Sequence, residues 1–247
     1  MMRSFRADLH IHTCLSPCAD LEMSPRGIVR TAREKEIDIL GICDHNSAEN
    51  VPAVREAARP YQISVLAGME VTSREEVHVL GLFDHLDSAL KLQEIVYAHL
   101  PGKNDEDAFG VQPVVDADGE ILRFNEKLLI GATTLALDKV VSLIHSYGGV
   151  AIASHIDREG FSIIGQLGFI PEGLPLDALE VSPAMPVETA RQRFAPRTPL
   201  TPFSDAHRLQ EIGQASTAFW LADGSVAEIK KALVREDGRK VMTGEET

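Results

Sequence analysis

The sequence predicts an α/β protein built on a largely parallel sheet, and three observations carry that prediction. Short β-branched or apolar runs alternate with helix-like stretches along most of the chain. The helix-like stretches carry start and stop signals, such as Ser24-Pro25 and Gly148-Gly149. Several apolar runs end abruptly in His, Asp or Glu, the pattern of ligands gathered at the carboxyl ends of barrel strands. From periodicity alone the sheet is either open or closed into a barrel.

The first strand is expected over 7–13. Alternation in Asp8-Leu9-His10-Ile11-His12 points His10 and His12 to one face and Leu9 and Ile11 to the other. Ser24 caps a helix that has proline at its first position and runs to about Glu36. A buried strand follows over 37–43, then a helix over 46–59. Strands at 63–71 and 77–82 come next. If residues 71–72 and 76–77 close a tight hairpin, Glu70 stands directly opposite His78, with Cβ atoms ~5 Å apart. Helices are expected at 88–100 and 135–147, the second stopped by Gly148-Gly149. Strands at 150–155, 178–181, 199–203 and 217–221 and helices at 186–194 and 225–234 complete the alternation. The rhythm breaks at about 101–133, where residues 111–115 and 120–124 flank a turn containing Asp118-Gly119 and predict a β-hairpin. This stretch reads as an insertion within a single domain spanning 1–247, serving as a surface excursion, a substrate lid or an oligomer contact.

Composition narrows the class of function. The 247 residues carry 37 acids against 24 Lys and Arg, a formal charge of −13. Such a surface disfavours coating an extended nucleic-acid duplex or docking on anionic lipid. No apolar run approaches the ~20 residues of a spanning helix, and the N-terminus lacks a signal-peptide pattern. Three cysteines, Cys14, Cys18 and Cys43, make no disulfide framework, which points to a reducing cytoplasm. All three read as packing residues. Nine histidines in so acidic a chain stand out, several of them beside carboxylates.

Placed on the expected strands, those histidines and acids fall into one pattern. His10 and His12 make a half-site for a divalent cation. Asp44-His45 and Glu70 end two buried runs, and a glutamate there is costly unless paired or metal-bound. His155 ends a fourth run, and Asp205 and His207 share a face two residues apart. Each alone has an ordinary reading; together they point to a polynuclear metal site. His145 and His99 read as having no catalytic role, and His85 as at most a neighbour of the site.

In this ordered set the chain resembles the PHP family, named for its polymerase-associated and histidinol-phosphatase members. The motifs are Asp8-Leu9-His10-Ile11-His12-Thr13; Asp20 before Ser24-Pro25; Gly41-Ile42-Cys43-Asp44-His45; Gly68-Met69-Glu70; His78; His155; and Ser204-Asp205-Ala206-His207. The resemblance implies a distorted (β/α)7 TIM-like barrel holding two or three divalent ions, zinc, manganese or iron. It assigns His10, His12, Glu70 and Asp205 to one metal, with Glu70 bridging to a second held also by His78 and His155. Asp20, His45 and His207 hold a third. The first loop is longer than the family pattern, with Ser16-Pro17-Cys18-Ala19 inserted before Asp20.

The function implied is a cytoplasmic metal-dependent phosphoesterase. Glu70, Asp205 and His207 act through bound metals, and a metal-bound hydroxide attacks phosphorus. Arg158 and Arg208 are placed to hold the phosphate. The substrate is a small phosphorylated molecule, including a nucleotide or the end of an oligonucleotide. Alternatives within the same chemistry are a histidinol-phosphate-type phosphatase and a 3′–5′ exonuclease. Outside it stand an amidohydrolase-like hydrolase of C–N or lactone bonds and a non-enzymatic regulatory module. Three divalent ions against Asp20, Glu70 and Asp205 would make the loaded site cationic within an acidic shell, which favours a small anion or a strand end.

Overall fold

A computed structural model describes residues 1–242; the last five residues of the expected 1–247 span lie outside the described residues. The strands are β1 (Arg3–Ile11), β2 (Ile39–Ile42), β3 (Ser64–Thr72), β4 (His78–Phe83), β5 (Pro113–Val115), β6 (Ile121–Phe124), β7 (Val150–Ala153), β8 (Ala178–Val181), β9 (Leu200–Pro202), β10 (Thr217–Leu221) and β11 (Lys240–Val241). The helices are α1 (Pro25–Glu34), α2 (Val51–Ala58), α3 (Leu86–His99), α4 (Glu106–Phe109), α5 (Leu137–Ser146), α6 (Ile163–Leu167), α7 (Val187–Phe194) and α8 (Val226–Leu233). Nine strands form one sheet in the order β11-β10-β1-β2-β3-β4-β7-β8-β9. β1, β2 and β3 run parallel, as do β7, β8 and β9, while β4 is antiparallel to both its neighbours. The sheet curls until the segment after β9 meets the end of β1. There His12 N donates to Ala206 O at 3.0 Å and Ala206 N donates to His10 O at 3.2 Å.

Local chemistry explains the elements. Ser24 Oγ accepts from Gly27 N at the start of α1, with Pro25 in the first turn, and Glu36 leaves the helix at a φ of 55°. α2 begins at Val51 rather than near residue 46, because Asn46 and Asn50 use their amides elsewhere. Asn46 Nδ2 donates to the carbonyls of Leu129 and Gly131, and Asn50 holds Pro113 O and Val115 N. These two buried side chains tie the 101–133 stretch, with its antiparallel β5–β6 pair, to the main sheet. Apolar side chains fill both sides of the sheet. Ile28, Val29, Val140 and Ile144 pack helices on its outside, while Leu9, Ile39, Leu66, Leu80, Ile152 and Phe203 form a second cluster. Gly41 is required where β2 passes β1, since a Cβ there would lie 2.3 Å from Leu9 O.

Two register expectations are corrected. The β1–β2 register shifts between Asp8 and Ile11, so Leu9 and Ile11 pack in different clusters instead of sharing one face. In the β3–β4 hairpin Thr72 pairs with His78 and Glu70 with Leu80. The loop is wider than a tight turn, closed by Ser73 N to Val77 O, and Glu76 adopts a φ of 60°. His78 is therefore a diagonal neighbour of Glu70, still within reach of a long side chain.

Candidate metal centre

β1 and its extension bring in His10 and His12, the end of β2 His45, and β3 Glu70. The antiparallel β4 contributes His78 from its first residue, so its amino end, not its carboxyl end, faces the site. The turns after β7 and β9 supply His155 and the pair Asp205 and His207. His155 and Asp205 adopt φ values of 28° and 49°, a conformation disfavoured for residues with a Cβ. Held strain of this kind gathers where side-chain direction matters more than backbone comfort.

Seven of these residues are at most 6% exposed. Their ligand-competent atoms converge. His10 Nε2 lies 3.2 Å from His12 Nε2, 3.2 Å from Asp205 Oδ1 and 3.4 Å from Glu70 Oε1. His12 Nε2 lies 3.1 Å from Asp205 Oδ1. Glu70 Oε1 is 3.0 Å from His78 Nδ1 and 3.5 Å from His155 Nε2, and its other oxygen is 3.0 Å from His45 Nδ1. Three groups, His10/His12/Asp205, His45/Glu70/His78 and His12/His45/His207, each place one ligand atom per residue within 4.8 Å of the others.

The donor chemistry fits a cation. His10 Nδ1 is 2.8 Å from Glu180 Oε2, so its ring N–H is committed there. Ser16 Oγ donates to Asp44 Oδ1 at 2.7 Å and accepts from His12 Nδ1 at 2.9 Å. Each ring then turns its Nε2 toward two carboxylates. Nitrogens and carboxylate oxygens packed this closely need a positive charge among them: in metal-free protein a proton on His10 supplies it, and a divalent cation would take that proton's place. The separations near 3.2 Å match the roughly 3.3 Å between ligands of a tetrahedral ion bound at about 2.0–2.1 Å. His45 Nδ1, His78 Nδ1 and Glu70 Oε1 are buried without a hydrogen-bond partner, which leaves them free for a metal.

Protonation follows the same geometry. Burial would raise Glu70, but His78 and His10 hold it well below the usual carboxylate range. Burial would likewise raise Asp205, which His10 and His12 hold low. Burial works against a charged His10, yet Glu180, Asp205 and Glu70 push its pKa well above the ordinary value. His12, desolvated and facing His207, falls well below it.

Other sequence-derived candidates lie apart. The Asp20 carboxylate is half exposed and faces Arg208 Nε at 3.5 Å. Arg208 is itself 57% exposed and also reaches Glu211. Arg158 is at the site, with Nη1 on Asp205 Oδ2. His85 sits at the far end of β4, His145 pairs with Asp177, and His99 bonds Ile95 O. Sequence reasoning missed Glu180 and Ser16, which orient His10 and His12. A carboxylate inside the apolar run Ala178–Val181 was the available signal for Glu180, because a buried acid needs a partner. It also read Cys18 as packing. Cys14 and Cys43 are buried, but Cys18 is solvent-facing, in a cavity of about 320 Å³ shared with His45, Glu70, His155 and His207.

Among the described residues no helix is long and apolar enough to cross a membrane. Comparison with known proteins sets this geometry in a family. A 5′-3′ exoribonuclease of Haemophilus influenzae is 24% identical over 190 residues, 60% of this chain and 68% of that protein. The lesion-specific endonuclease Q of Pyrococcus furiosus superposes with a TM-score of 0.73 at 17% identity, covering 97% of this chain but only 58% of the endonuclease. A Bifidobacterium adolescentis chain provisionally named a metal-dependent phosphoesterase gives 0.51 at 18% identity, covering 93% of this chain and 96% of that one. The family model for the PHP domain matches residues 8–163, the span that carries His10, His12, His45, Glu70, His78 and His155. By that match over more than half its length, the chain belongs to the PHP domain family.

Proposed function

We propose that this protein is a metal-dependent phosphoesterase acting on a small phosphorylated substrate or on the end of a nucleic-acid strand. The observation that carries this reading is the convergence of His10 Nε2, His12 Nε2, Asp205 Oδ1 and Glu70 on one point. His10, His12, Glu70 and Asp205 would hold one divalent ion; Glu70, His78 and His155 a second; and His45 and His207 would contribute to a third. Seven strands, β1–β4 and β7–β9, would form the distorted barrel around them, closed through Ile11 and Ala206. When bound, the ions would lower the pKa of a water and offset charge on phosphoryl oxygens.

The chain's own residues would do the rest. Glu180 and Ser16 hold the first two imidazoles in the tautomer that presents Nε2. Arg158, 43% exposed in its side chain and anchored on Asp205, turns positive charge toward the cavity and would hold a non-bridging phosphate oxygen. Phe161, 42% exposed at the same cavity and stacked on His78, offers an aromatic face to a nucleobase. That feature favours a nucleotide or a strand end over a bare sugar phosphate. The relative from Haemophilus influenzae is named for 5′-3′ polarity, opposite to the 3′–5′ alternative drawn from sequence, and endonuclease Q is known bound to a 27-mer duplex with an abasic lesion.

The test is a screen of phosphomonoesters, nucleoside bisphosphates and 5′- and 3′-phosphorylated oligonucleotides with protein loaded with manganese, iron or zinc. Phosphate release that a chelator and His10→Ala both abolish is expected. Protein that binds metal yet cleaves no phosphoester under any loading overturns the reading.

A further inference from the structure

Resting on the reading of this cluster as a metal centre, we propose that Cys18, not Asp20, completes the metal site of His45 and His207 with a sulfur ligand. The placement of the first loop carries this. Ala19 N donates to Ser16 O at 2.9 Å, folding residues 16–19 into a turn, and Asp20 N donates to His207 O at 2.9 Å. That second bond pins the loop beside His207. Ser16 is held inward by Asp44 and His12, so the turn has both of its ends fixed to the site.

The outcome is opposite for the two candidate ligands. The Cys18 thiol stands beside the rings of both His45 and His207 on one cavity wall. It also lines the two cavities in which His207 stands. Asp20 lines neither cavity, and its carboxylate faces Arg208 in solvent. The extra residues of the long loop thus put a cysteine where a shorter loop would present the aspartate. A second observation points to a ligand independently: His45 Nδ1, on a residue 5% exposed, faces the cluster without a hydrogen-bond partner. His12, His45 and His207 also bring three ring nitrogens within 4.8 Å of one another. A sulfur beside three imidazoles suits zinc or iron better than manganese, because thiolate is a soft donor. On binding, the thiol would lose its proton to solvent as the sulfur–metal bond forms, with no change of oxidation state.

The experiment uses the full chain, stripped with chelator and reloaded with cobalt(II) alone, in wild type, Cys18→Ala and Asp20→Asn. Wild type and Asp20→Asn should show a sulfur-to-cobalt charge-transfer band in the near ultraviolet, and Cys18→Ala should lack it while keeping the weaker visible bands of the remaining sites. In wild type, zinc should slow alkylation of Cys18 by roughly tenfold or more, read by peptide mass spectrometry, because a metal-bound sulfur is a poor nucleophile. The buried Cys14 and Cys43 serve as internal references. If cobalt binds without a sulfur band, and Asp20→Asn rather than Cys18→Ala lowers the metal count, Cys18 is not a ligand and the metal centre stands. If elemental analysis finds no bound metal in wild type, both readings fall.

Discussion

Glu180→Ala is the substitution that most directly probes how the site is held. Glu180 and His10 are both 0% exposed, and their contact is 2.8 Å. Truncation to alanine removes the acceptor, so His10 Nδ1–H loses its protein partner in a buried setting. An orphaned buried donor costs about 1–3 kcal/mol. At roughly 1.4 kcal/mol per decade, that predicts a loss of about 10–100-fold in affinity for the ion bound by His10, the range seen for outer partners of metal-bound histidines. Glu180→Gln keeps a carbonyl oxygen in reach of Nδ1–H and should lose tenfold or less, on the order of one neutral hydrogen bond. Chelator-competition titration with zinc, with circular dichroism to verify folding, measures both. A folded Glu180→Ala protein that binds zinc within about twofold of wild type would refute the assignment of Glu180 as the group that orients His10.

Further outcomes follow from the same geometry. Burial opposes protonation of His10, but Glu180, Asp205 and Glu70 prevail and raise its pKa. In metal-stripped protein its contribution to stability is complete below the unfolded value of about 6.5 and fades as pH rises through the raised folded value. Metal must displace that proton, so calorimetry in buffers of different ionisation enthalpy should show proton release at pH 7, and zinc affinity should climb with pH; binding without release contradicts the assignment. Arg158→Ala should raise KM for a phosphoester by roughly 10–100-fold while leaving the metal count intact, whereas Arg208→Ala, removing an exposed ion pair, should change it less than about threefold. Equal effects would show that Arg158 has no special hold on substrate. Gly41→Ala forces a Cβ to 2.3 Å from Leu9 O. The clash is with backbone, so a loss of about 3 kcal/mol or more is expected in urea unfolding. A wild-type midpoint would mean that β1 and β2 do not approach so closely.

Much of the centre was legible because its residues are chemically conspicuous where they stand. Imidazoles and carboxylates that end apolar runs are expensive to bury alone, so His45, Glu70 and His155 announced a shared purpose one by one. Strand limits for Ala178–Val181 and Thr217–Leu221 fell where the apolar runs do. Register was less legible, since the hairpin after β3 depends on a five-residue turn with no glycine to mark it, and a slip changes which residues face. Asp20 and Cys18 show the same limit in a loop. The family resemblance assigns the aspartate, but the loop, bonded through Asp20 N to His207 O, leaves the Asp20 carboxylate facing Arg208 and sets Cys18 at the cavity beside His207.

By itself the sequence determined the chemistry available to this protein: the alternation that builds an α/β sheet and the ligand types placed at strand ends. Only the tertiary structure decided which of them meet. His10 and Glu180 are 170 residues apart, and His12 and Asp205 are 193 apart. No local propensity encodes such contacts. They exist because the sheet curls and the segment after β9 closes on β1, so that packing of the whole core sets the few ångströms on which a metal site depends.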